Sequence, residues 1–378
     1  GQRPASRPAG WLAAALLALS PMAVWYSQEA KAYAITLLLS LASWLVLWEA
    51  VERRARGPWW AFGALTVVSL LTHRLIAVLA LVGQLVYLVY AAHQGRFTLR
   101  NRRLLVLLLV AVLLAALAGL WLVVGQSGAS RQFGTRRDWT APLDAFSQLS
   151  LRITPHAPEA GRGPDRRPWL VPFAGVALAG LLALARESRG GGPGPRSAVF
   201  LLSFLLAPPA TFFALYLIRP LYYERYMLGT LPAYLLLLAL GLVSLGRWAL
   251  QLYRSGDRAL GSALAALALA AGAALVAASG REVQTYNLSG QPHKEQFREA
   301  TRYLQEHLHP GDLVVVHPNY LVPAVEYYQP RCPRVPLELH VLRDMLTEDY
   351  GFSEFETDMT EMATGRRRAW LLLAPYHA

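Results

Sequence analysis

Through its first three quarters the chain alternates long apolar runs with short polar breaks, and neither a strand period nor an amphipathic helix period dominates. Runs of about 15 to 22 apolar residues are long enough to cross a hydrocarbon core about 30 Å thick. They fall near Gly10 to Trp25, Tyr33 to Val51, Trp59 to Thr72, Leu75 to Ala92 and Leu104 to Gly125. Four more lie near Trp169 to Ala185, Ala198 to Ile218, Leu228 to Gly246 and Leu260 to Ser279. This pattern predicts nine membrane spans. The stretch from Trp59 to Ala92 would reach roughly 50 Å as a single helix, so it is divided at Thr72-His73-Arg74 into two short spans with a tight turn.

The pattern changes after Ser279. From Lys294 to Leu308, apolar Phe297, Ala300, Leu304 and Leu308 recur every three or four residues, which predicts an amphipathic helix stopped by Pro310-Gly311. Leu313 to His317 reads as a buried strand, Val322 to Tyr328 as a short helix or turn, and Ala369 to Leu373 as a second strand. The expected fold class is therefore mainly α: a polytopic helix bundle over residues 1–279, and a small α/β domain over 280–378.

Composition agrees with a membrane protein. Of 378 residues, 54% are hydrophobic and only 16% charged, and the mean hydropathy is positive. The net charge of +12 sits largely in short connections beside spans, so it speaks for the positive-inside rule and against a nucleic-acid partner. One alternate set of connections carries 15 Lys or Arg in 49 residues and the other 11 in 60. The first set is therefore expected in the cytoplasm, which puts residues 26–32, His73, Arg74, residues 219–226 and the C-terminal domain outside. The single Cys332 forms no internal disulfide, and no Cys/His zinc spacing, glycine-rich nucleotide loop or P-loop occurs. The first residue is Gly1, and the run that follows keeps its basic flank, so the expectation is a fragment rather than a chain trimmed of a signal peptide.

Three polar clusters stand at the expected outer boundary. Tyr26, Ser27, Gln28, Glu29, Lys31 and Tyr33 interrupt the first two runs, and on a continuing helix Tyr26, Glu29 and Tyr33 would share a face. An interfacial belt, with Glu29 paired loosely to Lys31, accounts for the same residue types. Arg219, Tyr222, Tyr223, Arg225 and Tyr226 form the second cluster, and guanidinium groups beside phenols suit either a lipid phosphate or a basic-aromatic belt. His73 and Arg74 form the third, where ionisable groups in a tight turn call for water or a polar cavity. No pair of histidines has the helical spacing of a metal site.

The run ending Leu19-Ser20-Pro21, followed by Trp25-Tyr26-Ser27-Gln28-Glu29-Ala30-Lys31-Ala32-Tyr33-Ala34, resembles the signature of bacterial family 39 glycosyltransferases. These are relatives of the dolichyl-phosphate-mannose protein mannosyltransferases and of aminoarabinose transferases. The usual signature has Arg where this chain has Lys31. Tyr223-Glu224-Arg225-Tyr226-Met227-Leu228 with Leu231-Pro232-Ala233-Tyr234 is similar to the family's late Arg-Tyr segment. Gln296 to Ala300, with Pro310-Gly311-Asp312, is similar to the start of its external domain.

The resemblance implies a GT-C architecture in a bacterial inner membrane, with the active site and C-terminal domain on the extracytoplasmic side. It implies a polyprenyl-phosphate sugar donor, membrane lipids around the bundle, and a protein, lipid or polysaccharide acceptor. No cofactor is implied with certainty, and a divalent metal stays open. The family's general base lies in a first external loop, expected upstream of Gly1, so no catalytic base is assigned within this chain. Arg225 is the first candidate to neutralise the departing phosphate. Tyr26, Glu29, Lys31, Tyr33, Tyr223, His73 and Arg74 are the other expected substrate-binding residues. A transporter or binding protein for lipid-linked glycans is the alternative; it would show broken helices with polar groups near the bilayer midplane, whereas here the polar residues gather at one mouth.

Overall fold

The computed structural model describes residues 7–29, 32–53, 55–95, 146–147, 149–150, 170–189, 194–218, 224–288, 296–317, 321–329, 339–341 and 352–373. Lys31, Arg219, Tyr222, Tyr223, Cys332, the Leu104 to Gly125 run and the 126–167 connection, apart from residues 146–147 and 149–150, lie outside these residues. The protein is mainly helical. Six described helices are long and apolar enough to cross a membrane, or seven if a bent pair counts as one span.

The bent pair corrects the first expected span. Residues 10–25 do not form one rod: α1 (Arg7–Leu19) and α2 (Pro21–Ser27) meet at 57°. Pro21 has no N–H for the helix ladder and disfavours helical geometry at the residue before it. Ser20 is accordingly extended (φ −65°, ψ 122°), and its Oγ caps α2 by accepting the Ala23 N–H at 3.4 Å.

Next come α3 (Tyr33–Arg53), α4 (Arg56–Thr72) and α5 (Arg74–His93). The division at residues 72–74 stands where hydropathy and length placed it, with extended His73 (φ −153°) between α4 and α5. Helix α4, with 17 residues, is not among the six helices long and apolar enough to cross. Then follow α6 (Leu170–Arg189), α7 (Gly194–Ile218), a 3-10 helix (Glu224–Thr230), α8 (Leu231–Arg254) and α9 (Arg258–Leu288). Helix α9 continues nine residues past the boundary read at Ser279, and its compact unit extends to Leu288.

The core of this unit is closed by shape as much as by hydrophobicity, since lipid offers apolar side chains no reason to leave it. Trp44 stacks on Phe204 at 4.5 Å and meets Phe200 edge to face, and Trp48 and Tyr87 in turn pack edge to face on Phe200. Helices α6 and α8 approach backbone to backbone at Gly180 and Gly241. A Cβ on Gly241 would stand 2.1 Å from the Val176 carbonyl oxygen, and one on Gly180 2.4 Å from that of Leu237.

The second unit contains a parallel sheet of order β2-β1-β3, from β1 (Leu313–His317), β2 (Leu339–Val341) and β3 (Ala369–Leu373). Its helices are α10 (Phe297–His307), α11 (Val322–Tyr328) and α12 (Phe352–Ala363). Strand alternation divides β1 between two cores. Val314 and Val316 pack with Leu304, Leu308 and Leu321, while Leu313 and Val315 face Met359 and Met362 of α12. Neither β2 nor α12 was expected from the sequence.

Asp312 ties β1 to β3. Its side chain is 3% exposed and accepts from Arg368 Nη2 at 2.6 Å, from the His309 N–H at 3.0 Å and from Trp370 Nε1 at 3.1 Å. The Arg368 hydrogen bond first, then the His309 N–H, hold this carboxyl well below the usual carboxylate range. A depressed folded-state pKa stabilises above the unfolded value, near 3.8, and that contribution is lost as pH falls through the folded value. Asp312→Asn is therefore expected to speed hydrogen exchange in β1 and β3 at pH 7. The difference from the parent protein should shrink as pH falls below about 3.

Candidate functional site

Five polar residues picked from separate parts of the sequence meet at one end of the helix bundle, through the local geometry of each element. The α2 helix ends at Ser27, with Gln28 closing its last turn through a bond to the Trp25 carbonyl, and α3 begins at Tyr33. Tyr26 and Tyr33 do not share a helical face as expected. Their rings meet edge to face at 5.0 Å, and both side chains are buried.

Glu29 is held from within its own segment, and its expected partner Lys31 lies outside the described residues. The Glu29 carboxylate accepts the Trp25 indole N–H at 2.9 Å, one turn back, which fixes it beside the cluster.

His73 approaches from the α4–α5 turn. Its ring centroid lies 5.7 Å from Tyr33 and 5.9 Å from Tyr226. Nδ1 accepts the Ile76 N–H at 3.4 Å and so caps α5, a role that requires this nitrogen to be unprotonated. Burial pushes the imidazole below its ordinary pKa, and the Arg225 charge acts in the same direction. Arg74, one residue on, is exposed at the first position of α5, away from the ring contacts.

Arg225 is carried by the 3-10 helix. Its guanidinium lies 5.5 Å from the Tyr226 ring centroid and within hydrogen-bonding reach of the Tyr33 hydroxyl. Tyr226 also packs edge to face on Phe212 of α7, at 5.4 Å. Ser40 Oγ of α3 donates to the Gly229 carbonyl at 3.0 Å and anchors this short helix. Gly229 admits the close packing, because a Cβ there would come within 2.9 Å of Ile76 Cγ2 on α5.

The structure thus brings together Tyr26, Glu29, Tyr33, His73 and Arg225, and leaves Arg74 aside. Tyr226, a member of the second polar cluster but not one of the expected substrate-binding residues, joins His73 to Arg225. Trp25 as the partner of Glu29, and the Ser40 and Gly229 anchor, had no signal in the sequence.

Beside Tyr26 opens an apolar cavity of about 220 Å³. Leu17, Ala18, Ala23, Val24, Ala34, Leu37 and Leu228 line it. Among the described residues no group of three or more His, Cys, Asp or Glu is arranged to hold a metal ion. Chemically the site offers a guanidinium, three phenols and a half-buried imidazole, which suits binding and charge stabilisation of a phosphate.

No family model, curated protein or solved structure matches this chain.

A pH dependence follows from His73. A base whose folded pKa is lowered takes up fewer protons than the unfolded chain, so stability is intact above about 6.5, the ordinary His value, and declines as pH falls below it. Thermal unfolding in nanodiscs from pH 8 to 5 should show this loss in the parent protein. His73→Asn keeps a capping side chain without a titrating group and should flatten the profile.

Proposed function

We propose that the chain is an integral-membrane glycosyltransferase of the GT-C type, similar to bacterial family 39, which moves a sugar from a polyprenyl-phosphate carrier to an extracytoplasmic acceptor. On this reading it spans a bacterial inner membrane about nine times, with residues 289–378 as an external domain. The observation that carries it is the convergence of Arg225 with Tyr26, Tyr33 and His73, which three separate elements deliver to one end of the bundle.

In the proposed reaction an acceptor oxygen attacks the anomeric carbon while the bond from that carbon to the phosphate oxygen breaks. The bonding pair leaves with the polyprenyl phosphate, and the acceptor's proton passes to a general base that no residue here is assigned to be. Arg225 stabilises the charge gathering on the phosphate, where a planar fork of donors matches its oxygens. The Tyr33 hydroxyl stands beside that guanidinium and supplies a further hydrogen bond. The apolar cavity beside Tyr26 is the proposed seat of the first isoprene units.

A transporter or binding protein for lipid-linked glycans draws support from two observations. One is the 57° break between α1 and α2, and the other is Pro208-Pro209 inside α7. The transferase is preferred because the charged group and the rings collect at helix ends, where donor and aqueous acceptor meet.

The test is turnover. Protein expressed from its complete gene and incubated with a panel of polyprenyl-phosphate sugars and acceptors should release free polyprenyl phosphate; no release with any pair would overturn the reading.

A further inference from the structure

Within the bundle, one to three helical turns from the Tyr33 end of α3, lies a cavity lined by six polar and four apolar residues. Thr36, Ser40 and Ser43 of α3, Thr66 and Ser69 of α4, and Gln84 of α5 line it. Most of these groups are satisfied. Thr36 Oγ1 donates to the Ala32 carbonyl at 2.7 Å, Ser40 Oγ to Gly229, Ser43 Oγ to the Ser40 carbonyl at 2.9 Å, and Ser69 Oγ to Leu65 at 2.7 Å. Gln84 Nε2 donates across to Ser43 Oγ at 2.8 Å, with both residues at least nine-tenths buried.

Thr66 is the exception. It is 7% exposed, and its Oγ1 has no hydrogen-bond partner among the described residues. A threonine on a helix normally turns its hydroxyl onto the carbonyl four residues back, as Thr72 of the same helix does at 2.7 Å. Thr66 forgoes that bond. An orphaned hydroxyl in an apolar interior is destabilising, and a partner inside the cavity relieves it.

We propose that this cavity binds one water molecule, shared between Thr66 of α4 and the Ser43–Gln84 pair that joins α3 to α5. The open volume, about 10 Å³ for the centre of a water-sized sphere, suits one water and excludes a sugar or phosphate. No carboxylate lines the cavity, so a cation would be desolvated among neutral oxygens alone, at much greater cost than a water. The water fastens α4, which precedes the His73 turn, to its two neighbours.

The sign of one isosteric substitution tests the proposal. With a water present, Thr66→Val deprives it of a partner, and the apparent melting temperature in nanodiscs should fall by about 1–3 °C; Thr66→Ser, which keeps the hydroxyl, should stay near the parent. If Thr66→Val melts at the same or a higher temperature, the hydroxyl was simply unpaired and the proposal fails. A map at about 2 Å resolution gives an independent reading. Density within 3.2 Å of both Thr66 Oγ1 and the Gln84 amide supports the water, and its absence in a well-ordered region overturns it. Stabilisation of the parent by sodium but not choline, lost in Thr66→Val, would overturn it in favour of a cation.

Discussion

On the proposed transferase reading, replacing Arg225 by alanine is expected to lower kcat/KM for a polyprenyl-phosphate sugar by about 10- to 150-fold, the equivalent of losing charge-assisted hydrogen bonding worth about 1.5–3 kcal/mol. The loss should appear mainly in kcat, since the phosphate gains charge as the sugar departs and only interactions that strengthen in the transition state accelerate the step. Arg225→Lys should recover part of the rate, because it restores the charge without the planar fork. Folding should survive: Arg225 is half-buried at the head of a short 3-10 helix, and the anchor of that helix is the Ser40 to Gly229 bond rather than the guanidinium. Steady-state kinetics on the two variants, with the melting temperature as control, decide the matter. An unchanged kcat/KM in Arg225→Ala would remove the residue from the site.

Gly241→Val is the substitution expected to damage the bundle most. Its Cβ would fall 2.1 Å from the Val176 carbonyl oxygen and 3.0 Å from the Gly180 backbone nitrogen. Backbone cannot swing aside as a flexible side chain would, so α6 and α8 must separate along a crossing where close approach is the main source of attraction. The cost should reach about 3 kcal/mol, the upper range for forcing atoms into a packed interior. Gly246→Ala, on the same helix but with nothing within 4 Å of the added carbon, should be neutral or slightly stabilising through its helix propensity. Thermal unfolding of the pair in nanodiscs separates a packing requirement from a general intolerance of side chains at glycine positions.

The long apolar runs made the membrane helices legible, because length and hydropathy bear directly on crossing a hydrocarbon slab. The division at Thr72-His73-Arg74 followed from length alone. The break at Ser20-Pro21 was missed because composition is indifferent to a bend, although Pro21 behind a serine is a capping signal that a local reading would have caught. In the C-terminal residues, β1 and β3 announced themselves through apolar runs. Strand β2 is only three residues long, and α12 carries its apolar residues among many charges, so neither has a strong period.

The candidate site was legible residue by residue but not as a site. Tyr26, Glu29, Tyr33, His73 and Arg225 were each suspicious as polar groups at helix ends. Their meeting depends on the turn after Ser27, on the cap at His73 and on a glycine thin enough to let the 3-10 helix lie against α5. Those are tertiary facts with no periodic trace. The polar cavity among α3, α4 and α5 was hidden for another reason: single serines and threonines inside apolar runs look like tolerated interruptions until the helices are packed together.

The most direct test of a transferase uses a donor carrying one isotope in its sugar and another in its phosphate, offered to the purified protein in sealed proteoliposomes with acceptor on the outside. Transfer predicts that the two labels part, with the sugar appearing on the acceptor and the phosphate staying with the lipid. Labels that remain together on every donor tried, especially if the intact donor crosses the bilayer, would contradict it.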